Sequence, residues 1–184
     1  MKNSTGISRP SESTKKVPPA NLSHTIFLLL GSNVGDRKTW LTLACKAIET
    51  QIGVIEKASQ LYETAPWGHL KQSAFINQAL RVSTSCNPNE VLQEIRLIEG
   101  AAGRQRTVHW GPRTLDIDIL LYDNLILDTP DLTIPHPQMS GRRFALVPLA
   151  EIAGDIVHPT LHLSISTLLK QCKDQSEVAI LADG

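Results

Sequence analysis

Two stretches with helical periodicity, each set between stretches that alternate as strands do, constrain this fold more than any single motif. The first strand is HTIFLLLG, after which GSNVGD offers two glycines for a tight turn and Asp36 as a helix N-cap. In RKTWLTLACKAIETQI, Trp40, Ala44, Ala47 and Ile48 share one helical face, and Gly53 suits the C-terminal stop. VIEKASQLYET reads as a second strand. After APWGHLKQS, the third strand AFINQALRVST sets Ile76, Leu80 and Val82 on one side and Phe75, Asn77 and Ala79 on the other. NPNEVLQEIRLIEGAAG opens with Asn87 as N-cap, Pro88 at the first helical position and Glu90 completing a capping box. Its core face is Val91, Ile95 and Ile98, with Leu92 alongside. The fourth strand spans Leu115 to Tyr122, so the order is β-α-β-β-α-β.

That order predicts an α+β, ferredoxin-like (split βαβ) antiparallel sheet with both helices on one face. The opposite face is then free for a ligand, which makes the outward residues of the third and fourth strands the informative ones. The remainder, from LILD through RRFALVPLAEIAG to a last helix at SISTLLKQCK, reads as a C-terminal extension of short strands and helical pieces completing the same domain. No internal repeat or linker interrupts it. A chain of 184 residues with 41% hydrophobic composition suits one compact domain, expected over residues 24–184. Residues 1–23, rich in Ser, Thr, Lys and Pro, bury too little apolar surface to offset ordering entropy and are expected to form a disordered tail. That tail lacks the apolar core of a secretory signal. Its composition suits a transit peptide, but its amphipathic periodicity is poor.

Lys+Arg and Asp+Glu both number 18, so bulk charge advertises neither nucleic acid nor a membrane surface as partner. Cys45, Cys86 and Cys172 are odd in number and lack C-x-x-C spacing, which argues against a disulfide framework or zinc site and suits a reducing cytoplasm. The longest apolar run, IFLLL, is far short of the roughly 20 residues a membrane span requires.

The fourth strand holds the feature that needs explaining. Strict alternation puts Leu115, Ile117, Ile119 and Leu121 on one face, and Asp116 and Asp118 with Leu120 and Tyr122 on the other. Side chains at i and i+2 are about 6.5–7 Å apart, which lets two carboxylates converge on divalent cations; oxygen donors are what Mg²⁺ prefers. Taken alone, two strand aspartates more often face solvent or pair with arginine. Upstream, GRQRTVHWGPR concentrates Arg104, Arg106 and Arg113, whose planar forks suit phosphate oxygens. Acids that hold metal and arginines that hold phosphate are one reading, and a loop stitched by Arg–Asp pairs is the other. GSNVGD either cradles a phosphate or simply turns the chain, and His136 in IPHP is a phosphate contact or a turn residue. His69, His158 and His162 show no metal-ligand spacing. Trp67, Phe75 and Phe144 are either core or stacking surfaces for a flat ring.

Taken together, LLLGSNVGDR, SQLYETAPWG, FINQAL, IEGAAGRQR, WGPRTLDIDILLYD and LTIPHPQMSGRRFALVPLAEIA closely resemble the 6-hydroxymethyl-7,8-dihydropterin pyrophosphokinase family of folate biosynthesis. They occur in family order over residues 24–170, and WGPRTLDIDIL is the most specific of them. The resemblance implies transfer of an intact diphosphate from ATP, the co-substrate, to the pterin hydroxymethyl group, yielding AMP with the help of two Mg²⁺ ions. By motif position it implies Asp116 and Asp118 as metal ligands and Arg104 and Arg113 as transition-state and phosphate contacts. Arg106 and His136 would add phosphate contacts and Arg142 a further one from a mobile loop. Trp110, Thr133 and Ile119 fall on the ATP side, with the last two near adenine, and Glu99 supports the site from the second helix. On the pterin side the match points to Thr64, Ala65 and Trp67, with Asn77 at the ring edge and Phe75, Trp110 and Phe144 about the ring plane. His109 stands where many relatives carry arginine and Phe75 where some carry tyrosine. The implied form has a single function, acting as a monomer or weak dimer. A binding protein without turnover is the main alternative; a small RNA-binding module is disfavoured by zero net charge and by acids on the open face.

Overall fold

The computed structural model describes residues 23–64, 73–103 and 113–182. Strand β1 (His24–Ser32) leads into helix α1 (Arg37–Gln51), strands β2 (Gly53–Ala58) and β3 (Tyr62–Thr64), then β4 (Phe75–Thr84). Helix α2 (Pro88–Ala101) returns the chain to β5 (Asp116–Tyr122). Small strands β6 (Leu127–Asp128) and β7 (Thr133–Ile134) form a hairpin, and α3 (Arg143–Ala153), α4 (Ile165–Gln171) and β8 (Val178–Ile180) follow. The sheet order is β5-β1-β4-β3-β8, with β2 also paired to β4, and every pairing is antiparallel. This is the expected α+β, ferredoxin-like arrangement. Among the described residues no helix is long and apolar enough to cross a membrane.

Local chemistry accounts for the helix starts. Asp36 accepts from the Thr39 N–H at 3.1 Å, and Asn87 and Glu90 form the reciprocal capping box. The face of α1 is rotated from the expected one. Leu41, Ala44 and Ile48 are its buried centre, while Trp40 and Ala47 sit at the margin. Gly53 is not the positive-φ helix stop that its position suggested: Ile52 caps the helix and Gly53 already belongs to β2. Its reason is close approach, since a Cβ there would lie 2.1 Å from the Ser83 carbonyl oxygen. Gly53→Ala should therefore cost about 1–3 kcal/mol in stability, read as a lower midpoint in urea unfolding with an unchanged slope.

The expected second strand is two. β2 and β3 both pair with β4, but from Ala58 to Tyr62 the chain advances four residues while β4 advances three, Leu80 to Asn77. Ser59 stays on the ladder through its N–H to the Ala79 carbonyl at 2.9 Å, and Glu151 of α3 accepts the Gln60 N–H.

A second irregularity corrects the faces of β5. Leu28 pairs with Ile119 and Phe27 with Leu121, so Leu120 is an inserted bulge residue. Beyond it the phase reverses: Tyr122 joins Ile117 and Ile119 under the first two helices, and Leu121 turns to the other side. Tyr122 then donates its hydroxyl to the Cys86 carbonyl at 2.8 Å.

Nor is the second sheet face wholly open. α3 and α4 of the C-terminal extension cover part of it, packing Ala145, Leu146, Leu149, Ile165 and Leu168 on Phe27, Leu29, Ala79, Leu120 and Leu121. The sheet is thus dry on both faces at that end. At the opposite end β1 presents Gly31, β4 presents Phe75 and Asn77, β3 presents Thr64, and β5 presents Asp116 and Asp118.

Candidate functional site

Gly31 lies between the two strands that bear polar groups, its register partners being Asn77 and Asp116. A Cβ at Gly31 would sit 3.1 Å from Asn77 Oδ1, 3.8 Å from the Phe75 ring and 4.0 Å from Asp116 Cβ. The glycine therefore opens a shallow slot in the sheet, floored by backbone and edged by an amide, an aromatic ring and a carboxylate. Asn77 is 3% exposed and donates through Nδ2 to Thr64 Oγ1 at 2.8 Å, which orients the amide. Phe144, at the start of α3, is partly buried against the second core, with the Arg142 guanidinium 5.7 Å from its ring centre.

The acid pair continues along β5. Arg113 donates through its guanidinium to Asp116 Oδ2. Burial first, then the neighbouring Asp116 charge, pushes the Asp118 carboxyl up to about 7, with Glu99 adding to the rise and Arg142 and Arg113 opposing it. Glu99 is itself 2% exposed and accepts the Ile117 N–H at 2.9 Å, tying α2 to the outer edge of β5. Asp116 and Asp118 are hard oxygen donors held together at an energetic cost that a divalent cation would relieve, so the donor set fits Mg²⁺.

Beside the free edge of β5 is a cleft of about 290 Å³. Ile117, Asp118 and Ile119 form one wall, Leu92 of α2 another, and residues 129–133 with His136 and Pro137 the rest. Because Ile117 turns its N–H outward to Glu99, period two puts the Ile119 backbone groups on that same edge. His136 is anchored by its backbone N–H to the Leu120 carbonyl at 3.0 Å. Burial, reinforced by the Arg142 charge, brings its imidazole down to about 4, so it faces the cleft neutral at pH 7.

The two shifts have opposite linkage signs. In metal-free protein Asp118 holds its proton more tightly folded than unfolded, so its penalty is absent below about pH 4 and grows as pH rises to about 7. His136 holds its proton less tightly folded than unfolded, so its penalty is absent above about 6.5 and grows as pH falls to about 4. In buffer with chelator, Asp118→Asn should be more stable than the parent by at least about 1 kcal/mol at pH 8 and lose that gain at pH 4. Paired urea titrations at the two pH values read both limbs.

Of the residues singled out in the sequence, Thr64, Phe75, Asn77, Glu99, Arg113, Asp116, Asp118, Ile119, Thr133, His136 and Arg142 border the polar end of the sheet or its edge cleft, while Phe144 packs on the second core with the Arg142 guanidinium over its ring. Ala65, Trp67, Arg104, Arg106 and Trp110 lie outside the described residues, as does His109. Gly31, which opens the slot, is not among the residues the sequence singles out. Alternation carried through HTIFLLLGS would have put it on the ligand face.

Fold and site together define a ferredoxin-like α+β protein with a paired-carboxylate centre at the open end of its sheet. The chain belongs to the 7,8-dihydro-6-hydroxymethylpterin-pyrophosphokinase (HPPK) family, whose profile matches residues 27–154. Over 136 residues it is 43% identical to the 2-amino-4-hydroxy-6-hydroxymethyldihydropteridine pyrophosphokinase of Bacillus subtilis (strain 168), covering 73% of this chain and 81% of that one. The protein of the same name from Aquifex aeolicus (strain VF5) is 42% identical over 135 residues, covering 73% and 84%. The crystal structure of Plasmodium falciparum HPPK-DHPS, wild type with pteroate, superposes with a TM-score of 0.68 at 18% identity. That match covers 82% of this chain but only 42% of the longer one, and the likeness is one of fold.

Proposed function

We propose that this protein transfers a diphosphate group from ATP to the hydroxymethyl group of 6-hydroxymethyl-7,8-dihydropterin, giving AMP and the pterin diphosphate in folate biosynthesis. The observation that most supports this reading is Asp116 and Asp118 beside Arg113, between an aromatic and amide-edged slot and an edge cleft of mixed apolar and polar lining. Two chemically different ligands thus meet at one acid pair.

The slot suits the pterin. Asn77 both donates and accepts, as a pterin edge requires, and Gly31 lets the flat ring approach the sheet. Thr64, Phe75 and Phe144 complete this side, with Ala65, Trp67 and Trp110 assigned to it by motif position. The edge cleft suits adenine, which Ile119 would meet with backbone groups and Leu92 and Thr133 with side-chain surface. From there the triphosphate would run toward Asp116 and Asp118. These two residues would hold Mg²⁺, two ions by family resemblance, which when bound supplies charge neutralisation at the phosphates.

The pterin hydroxyl oxygen attacks the β-phosphorus in line, forming the new P–O bond as the bond to the α-phosphate oxygen breaks and AMP departs. Arg113 donates to phosphate oxygens, Arg142 adds positive charge from the start of α3, and neutral His136 donates one hydrogen bond. Arg104 and Arg106 are assigned further phosphate contacts by motif. Positioning and electrostatics supply most of the rate in such a transfer. Both aspartates would hold the cation, so neither is assigned as base, and the hydroxyl proton is released to solvent water as the P–O bond forms. A reducing cytoplasm suits the three free thiols. A single chain supplies both halves of the site, consistent with a monomer or weak dimer.

The test is incubation with ATP, Mg²⁺ and 6-hydroxymethyl-7,8-dihydropterin, with nucleotides separated chromatographically. Pterin-dependent AMP is the expected product. ADP, or no nucleotide product, overturns the assignment.

A further inference from the structure

The turn after β1 holds a side chain that the chemistry above does not use. Asn33 is 4% exposed, and it is bonded to the two places where the chain enters the site strands. Its Oδ1 accepts the Arg113 N–H at 2.7 Å, and its own backbone N–H donates to the Arg113 carbonyl at 3.0 Å. Arg113 is therefore gripped on both of its backbone polar groups by one residue. From its other side-chain atom, Nδ2, Asn33 donates to the Ser73 carbonyl at 3.4 Å, two residues before Phe75. Arg37, at the start of α1, holds the next carbonyl, that of Ala74, at 2.7 Å while also pairing with Glu63 at 2.8 Å.

These contacts are unequal. The Ser73–Ala74 segment has two donors, so losing the longer one from Asn33 leaves Arg37 in place. The Arg113 N–H has the short bond to Asn33 Oδ1. An arginine side chain has up to about 2 kcal/mol of rotamer freedom, and its head is delivered to one spot only if its backbone is fixed and its guanidinium is steered. Asp116 does the steering. The backbone is fixed by Asn33, a residue of the turn that follows β1.

We propose that Asn33 is a positioning residue for diphosphate transfer, acting through Arg113: it sets the backbone from which the guanidinium reaches the transferring group. This rests on the phosphate-contact role given to Arg113 in the proposed function. A misplacement of about 1 Å in such a group costs on the order of 100-fold in rate. Asn33→Ala should therefore lower kcat about 10- to 100-fold while pterin affinity, measured by calorimetry with a non-hydrolysable ATP analogue, stays within about threefold of wild type. Asn33→Asp keeps the acceptor for the Arg113 N–H and should recover at least tenfold of the lost kcat.

The deciding experiment is a double-mutant cycle with Arg113→Ala. If Asn33 acts through Arg113, Asn33→Ala changes kcat by less than about threefold once the Arg113 side chain is gone. A residue that only holds the fold together would lower kcat by the same factor in both backgrounds, and that additivity overturns the inference. So does wild-type kcat in folded Asn33→Ala. Should Asn33→Ala fail to fold, the same cycle is run with Asn33→Ser, whose shorter side chain does not carry an acceptor to the Oδ1 position that holds the Arg113 N–H, and read the same way. Wild-type protein that makes no AMP would instead defeat the assigned activity, an outcome separate from an additive cycle in an active enzyme.

Discussion

Asp116→Ala and Asp118→Ala should each abolish AMP formation, lowering turnover by at least about 1,000-fold, the equivalent of roughly 4 kcal/mol in the barrier. Removing either carboxylate halves the oxygen donor set at the one place where the sheet end and the edge cleft meet. Pterin binding should survive, because Gly31, Asn77 and Thr64 are held by strands β1, β3 and β4 independently of either acid. The measurement pairs steady-state AMP production with calorimetric pterin titration in the presence of an ATP analogue. A folded Asp116→Ala protein that no longer binds pterin would contradict this division of labour. The two variants should part company in stability. Asp116 is bonded to Arg113, so its loss frees a cation, whereas Asp118 is held at a raised pKa by burial and by Asp116, so its loss relieves strain in metal-free protein.

Arg113→Ala should lower kcat by about 100- to 1,000-fold, the usual cost of deleting one preorganised donor aimed at developing charge. Its effect on KM for the pterin should be small, since the slot at Gly31 and Asn77 is formed by other residues. Arg113→Lys should recover little, because an ammonium cannot bridge Asp116 and a phosphate oxygen with the fork geometry of guanidinium. Steady-state kinetics with each substrate varied in turn distinguishes the outcomes. Equal loss in kcat and kcat/KM is expected, as for an interaction realised in the transition state alone, whereas a raised KM at unchanged kcat would assign Arg113 to ground-state binding.

Much of this site is legible in the sequence because it depends on short-range regularities. Period-two alternation in FINQAL places Phe75 and Asn77 together, and alternation in LDIDIL places Asp116 with Asp118. Both statements hold in the structure, since no irregularity falls between the paired residues. The capping box at Asn87 and Glu90 is local chemistry and is equally readable. What sequence reasoning misjudged depends on distant partners. The bulge at Leu120 arises from pairing with Phe27 and Leu28, nearly a hundred positions away, so Leu121 and Tyr122 were assigned to the wrong faces. Gly53 was read as a helix stop because its real constraint, the Ser83 carbonyl, lies on another strand. The cover provided by α3 and α4 was missed for a related reason. Their apolar faces are evident in RRFALVPLAEIAG and SISTLLKQCK, but nothing in the local pattern says which side of the sheet they choose. Asn33 carries no sequence signal of its own, because a polar residue in a glycine-containing turn is ordinarily explained by the turn itself.

The inserted residue at Leu120 has a wider meaning for how this strand can change. It works as a phase shifter between two halves with different obligations. Upstream, residues 116–119 keep the alternation that sets acids on one side and isoleucines on the other. Downstream, Leu121 and Tyr122 answer to a different alternation, fixed by Phe27, by the second core and by the Cys86 carbonyl. The insertion also swings a carbonyl outward to hold the backbone of His136. The acid-bearing half and the packing half are thereby uncoupled in register, so substitutions at one end need no compensating substitution at the other. Deleting the extra residue would force a single alternation on both halves, and either the acids or the tyrosine would then face the wrong way.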